Sequence, residues 1–135
     1  MRSLTVQTLA VLLLIGCGCA GETAPLKELQ RLHSGNLDVV LLSAGDSLKQ
    51  GKGTFVVEFH DAGGSLVDVG TVTVGAAMPM PGMAPMFGDC MVTPTATKGR
   101  YDVSSDLGMA GTWRVQVTWN GPRGQGQASM RATAS

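Results

Sequence analysis

The sequence predicts an all-β chain, an immunoglobulin-like antiparallel β-sandwich of about seven strands. Three observations carry this expectation. From Leu37 onward the apolar residues recur with period two over short runs. Those runs are separated by clusters of Gly, Pro, Asn, Asp and Ser, and the chain holds 19 glycines and 6 prolines. No helical pattern is long enough to serve as the crossover of a parallel βαβ unit. A hydrophobic fraction of 44% beside 15% charged residues provides for a packed core, and 135 residues make one domain of ordinary size.

The elements follow in order. Leu26–His33 carries Leu26, Leu29 and Leu32 at helix-compatible spacing, so a short helix or linker is expected there. Leu37–Leu42 is a strand, closed by the turn cluster Ser43-Ala44-Gly45-Asp46-Ser47. Thr54–His60 places Phe55, Val57 and Phe59 on one face and ends in Asp61-Ala62-Gly63-Gly64. In Leu66–Met80, Val67 and Val69 have one parity and Val72, Val74, Ala76, Met78 and Met80 the other, so a bulge near Gly70 is expected to turn both sets inward. Cys90–Thr93 and Tyr101–Ser105 are short strands. Thr112–Trp119 alternates cleanly, with Trp113, Val115, Val117 and Trp119 inward as core anchors. After Asn120-Gly121-Pro122 the last strand, Gln127–Thr133, sets Ala128, Met130 and Ala132 against Gln127, Ser129 and Arg131. Met109 and Met130 are expected in the core.

The N-terminus has the order of an export signal: Arg2, an apolar run from Leu9 to Ile15, then small residues. The run falls far short of the ~18 residues of a membrane-spanning helix. Leu14-Ile15-Gly16-Cys17 resembles the bacterial lipoprotein box, which implies cleavage before Cys17 and lipidation of that cysteine. The expected organisation is a signal peptide over 1–16, a lipid-anchored tether over 17–35 and the sandwich over 36–135. Gly18 stands where an aspartate would signal inner-membrane retention, so the resemblance points to the outer membrane, facing the periplasm. Cys19 and Cys90 are expected to stay unpaired, since Cys19 lies in the tether.

Charge and motifs exclude several functions. Ten basic residues, scattered singly, balance ten acidic ones, and aromatics are 4%, so the chain has neither the basic stripe nor the stacking platform of a nucleic-acid binder. His60 beside Asp61 lacks a nucleophile elbow and an oxyanion loop, and reads as an exposed histidine at a strand end. His33 is placed in the leader, outside the domain. The glycines of Gly121–Gly126 lack the Lys-Ser/Thr pair of a phosphate loop. With no nucleophile, base and oxyanion donor together, the expectation is a protein that is not an enzyme.

One stretch stands apart from the core pattern. Met78-Pro79-Met80-Pro81-Gly82-Met83-Ala84-Pro85-Met86 precedes Cys90 and Met91, so five of eight methionines fall within fourteen positions. Thioethers are soft, neutral donors that select Cu(I) or Ag(I) over Zn(II), Mg(II) and Ca(II). They have no proton to lose, so such a site works in acid, and outside the cytoplasm they resist the oxidation that pairs thiols. Met80, Met83 and Met86 recur every third residue among three prolines, and a polyproline-like turn would line their sulfurs along one side. The same residues also read as packing: Met78 and Met80 continue an inward parity, and Met83 and Met86 would plug an open end of the sandwich.

The run PMPGMAPM, a GRY strand and then MAGTWRVQV resemble the YtkA-like domain, which is related to the periplasmic part of FixH proteins. The resemblance covers about Leu37 to Arg131 and is most specific over Met78–Met86 and Gly108–Val117. It implies a small immunoglobulin-like sandwich, exported or lipid-anchored. It also implies Cu(I) or Ag(I) binding at Met80, Met83 and Met86, with Met78, Cys90 and Met91 as additions. The implied partners are a metal efflux pump or a component of copper-dependent oxidase assembly. The Met loop has no histidine, which disfavours a Cu(II) site. The competing expectation is a non-metal interaction module of a transport or envelope complex, with the Met-Pro loop as its apolar contact.

Overall fold

The computed structural model describes residues 25–135, so the expected signal peptide, the Cys17 lipidation site and Cys19 lie outside the described residues. Eight strands follow one another: β1 (Lys27–Ser34), β2 (Leu37–Ser43), β3 (Gly51–His60), β4 (Thr71–Met78), β5 (Met86–Pro94), β6 (Arg100–Leu107), β7 (Gly111–Gly121) and β8 (Gly124–Ala134). All ladders between them are antiparallel and join in the order β1-β2-β3-β6-β5-β4-β7-β8. The sheet turns over on itself at β5. Its first residues, Met86–Gly88, pair with β4, whereas Asp89–Pro94 pair with β6. The two layers thus formed enclose the core, and β1 and β8, the ends of the order, lie against each other.

The first strand corrects the expectation of a helix or linker over Leu26–His33. Leu29 and Leu32 are three apart, which suits a helix and would put them on opposite faces of a regular strand. In β1 the register against β2 shifts between Glu28 and Gln30, and this irregularity brings both leucines against the core. The sheet therefore begins at Lys27, within the stretch expected to be a tether.

The parity change expected near Gly70 is present and is made by a backbone kink ahead of β4. Val67 and Val69 are buried, and so are Val72, Val74, Ala76 and Met78. Between the two sets Gly70 has φ +85°, and a Cβ there would lie 2.5 Å from the Asn120 carbonyl oxygen. Only glycine meets both demands. The Asp68 carboxylate accepts the Gly70 N–H at 2.9 Å, and the Tyr101 hydroxyl donates to the Gly70 carbonyl at 2.9 Å.

Alternation places the remaining core. Trp113, Val115, Val117 and Trp119 are buried along β7, and Phe59 packs edge-on against Tyr101 at 5.6 Å and Trp119 at 5.3 Å. Leu48, between β2 and β3, is buried too. Its N–H donates to the Thr133 carbonyl at 2.8 Å, and its carbonyl accepts from Ser135 at 2.9 Å, which ties this loop to the C-terminus.

Candidate functional site

The Met-rich stretch is the tip of the β4–β5 hairpin. Met78 pairs with Met86, Ala77 with Phe87 and Ala76 with Gly88, so Met78 and Met86 share the face turned to the core. Pro79, Pro81 and Pro85 have no N–H to donate, which ends the ladder at Met78–Met86. Pro81 and Gly82 form the corner of a turn in which the Met83 N–H donates to the Met80 carbonyl at 3.1 Å. Gly82 has φ +72°, as the third position of a type II turn requires.

This turn corrects the expectation of a polyproline-like run with three sulfurs in line. Met80 and Met86 are half-buried and pack on the core, whereas Met83, beyond the corner, is 72% exposed. Met78 is 9% exposed and belongs to the core cluster. The loop thus presents a graded set of thioethers, from buried Met78 through Met80 and Met86 to solvent-facing Met83.

The two further residues of the expected set lie elsewhere. Cys90 is four residues beyond Met86 on the same strand, past the point where β5 leaves β4 for β6. Burial pushes its thiol up, and the Asp89 charge adds to this, which disfavours the thiolate form that binds metals. Met91 follows it on the opposite face of the sheet, 71% exposed and paired with Ser104. Both border an open depression of about 810 Å³ that is also lined by Lys52, Thr54, Asp89 and Asp106.

Met109 corrects another expectation. It lies in the β6–β7 connection and is 42% exposed, whereas Met130 is buried. The reason is local: Trp113 fills the adjacent core and its Nε1 donates to the Met109 carbonyl at 2.9 Å, which fixes the backbone and leaves the side chain at the surface.

Both histidines are far from the hairpin tip. His33 is on β1, within the sheet rather than in a leader, with Nδ1 2.6 Å from Asp38 Oδ1. His60 closes β3 and pairs with Asp38, and its side chain is 17% exposed rather than open to solvent. Its Nδ1 donates to the Gly64 carbonyl at 3.0 Å, and the Asp61 carboxylate accepts from Gly63 and Ser65, so the pair serves the turn. The two histidines mark the end of the sandwich where Trp119 packs on Phe59, and the Met hairpin meets the other end of β7. The eight steps from Gly111 to Trp119 span about 27 Å. Among the described residues, no three of His, Cys, Asp and Glu converge to hold a metal ion. The donors at the tip are neutral thioethers, a type that suits a soft monovalent cation rather than a hard one.

Two solved structures are similar to the chain at low identity. The filamin domain of Lin-41 is 17% identical over 78% of this chain and 98% of that one, with a TM-score of 0.45. FetP of uropathogenic E. coli strain F11 is 9% identical over 81% of this chain and 95% of that one, with a TM-score of 0.48. No curated protein matches the chain. A family profile described as YtkA-like matches residues 32–118, from the end of β1 through most of β7. That match takes in the Met hairpin and the Met109 loop and covers more than half of the sequence, and by it the chain belongs to the YtkA-like family.

Proposed function

We propose that this protein is an exported, lipid-anchored carrier of Cu(I) or Ag(I), held in the cell envelope through Cys17, with the outer membrane as its site. It binds the ion through Met80, Met83 and Met86 and passes it to a metal efflux pump or to an assembly component of a copper-dependent oxidase. The observation that carries this reading is the hairpin tip, where three methionines at graded depth surround one proline-stiffened turn. Buried Met78 supports the tip from beneath. Soft donors there hold a soft ion without a charge, and an exposed Met83 allows exchange with an acceptor. The protein performs no catalysis in this reading.

Anaerobic titration with Cu(I) against a chromophoric Cu(I) chelator tests it. Stoichiometric competition by the protein is expected, lost when Met80, Met83 and Met86 are all replaced by Leu. Binding retained in that variant contradicts the assignment to the loop. A second reading, an interaction module, is favoured by Phe87 at 74% and Met91 at 71% exposure on the outer face of β5. It predicts that copper leaves stability unchanged and that the triple variant behaves as the parent.

A further inference from the structure

The site proposed above takes its donors from one hairpin, yet a second loop lies against it. The Met86 Sδ is 3.6 Å from the position that a Cβ would occupy on Gly108. The Met78 methyl is 2.9 Å, and its Sδ 3.8 Å, from the corresponding position on Gly111. These two glycines bracket Met109 and Ala110 in the β6–β7 connection. At Gly111 the missing side chain makes room for the Met78 methyl, on which a Cβ would press, whereas the Met86 sulfur lies at ordinary contact distance from the Cβ position of Gly108.

Met109 stands beside Gly108 in this contact. Its backbone is anchored by the Trp113 indole at 2.9 Å, and Trp113 is wholly buried. Its side chain is 42% exposed, so core packing does not account for a large apolar group here. A flexible thioether on a fixed backbone, next to Gly108, whose Cβ position lies 3.6 Å from the Met86 sulfur, is placed to add a donor to the same ion.

We propose that Met109 is a further ligand of the soft-cation site, which is then built from two loops rather than from the linear Met-Pro motif. This rests on the reading of the hairpin given above. Two consequences follow from a site that only the folded sandwich assembles. A peptide spanning Met78–Met86 binds the ion more weakly than the protein does. Ion binding also raises the thermal midpoint, because the unfolded chain lacks the site.

Titration of the protein, labelled with ¹³C at its methionine methyls, with Ag(I) tests this directly. The Met109 methyl resonance is expected to move together with those of Met80 and Met86, while Met91 and Met130 stay in place. A stationary Met109 beside moving Met80 and Met86 overturns the proposal and leaves the hairpin site standing. No movement at any of the three overturns both. In parallel, Met109→Leu is expected to weaken Ag(I) binding by about tenfold or more, with Met91→Leu unchanged. Equal affinity of Met109→Leu and the parent overturns the proposal. The Met109→Leu protein retains the fold, since the side chain is at the surface and Trp113 bonds to the backbone carbonyl.

Discussion

Gly88 shows how one residue sets the corner of the sandwich. It sits where β5 leaves β4 for β6, and a Cβ there would lie 2.7 Å from a Leu107 methyl and 3.4 Å from the Trp113 ring. Gly88→Ala should cost about 1 to 3 kcal/mol through overpacking, read as a lower urea midpoint with an unchanged slope. Charge acts more weakly. Asp38 is held below the ordinary carboxylate value by its hydrogen bond to His33 and then by Arg31. The Gly70 N–H lowers Asp68, with help from Lys98, and Lys27 lowers Asp46. A carboxylate lowered in the folded state binds fewer protons than its unfolded counterpart. Its contribution is therefore present above the unfolded value and lost as pH falls through the folded one. The thermal midpoint should drop between about pH 5 and about pH 3, with a shallower fall in Asp38→Asn. All three groups are at the surface, so added salt should flatten the profile. An acid limb identical in Asp38→Asn and the parent would count against the His33–Asp38 contact. Ag(I) binding should change little over the same range, because thioethers have no proton to lose.

The hairpin tip is where elements rather than single residues decide. Met78 is core and Met83 is solvent-facing, although both belong to one sequence run. Met78→Ala should cost about 2 to 5 kcal/mol and Met78→Leu under about 1.5 kcal/mol, with Met83→Leu neutral in denaturant titration. Peroxide treatment followed by mass spectrometry should oxidise Met83 and Met91 first and Met130 last. Ag(I) should protect Met83 and leave Met91 reactive. The strand pattern was legible wherever alternation was strict, as in β7, because period two alone fixes which side chains turn inward. It failed at β1, where an irregular register gives strand residues a helical spacing, and at the loop, where a Pro-Gly corner interrupts the three-residue period. The methionines of the proposed site were visible as a composition anomaly. Met109 was not, because a lone methionine between two glycines has no periodicity, and the nearness of neighbouring Gly108 to Met86 comes from the pairing of β5 with β6.

At the scale of the molecule, one sheet turned over at β5 leaves two end strands to be closed. Leu48 supplies part of that closure, buried and bonded through both backbone groups to the C-terminal residues. Leu48→Ala should therefore cost about 2 to 5 kcal/mol while the domain still unfolds in one transition. Separate transitions by tryptophan fluorescence and far-UV dichroism would contradict a single cooperative core. The same architecture separates chemistry by distance. The histidines and the Phe59–Trp119 contact lie at one end and the thioethers at the other, so no imidazole stands beside the proposed thioether site.

Copper K-edge X-ray absorption on the Cu(I)-loaded protein in which Cys17, Cys19 and Cys90 are all replaced by Ala tests the thioether site most directly. The expected result is one copper per chain with sulfur alone in the first shell, since methionine is then the remaining sulfur donor. A first shell containing nitrogen or oxygen, or no copper retained, would contradict it.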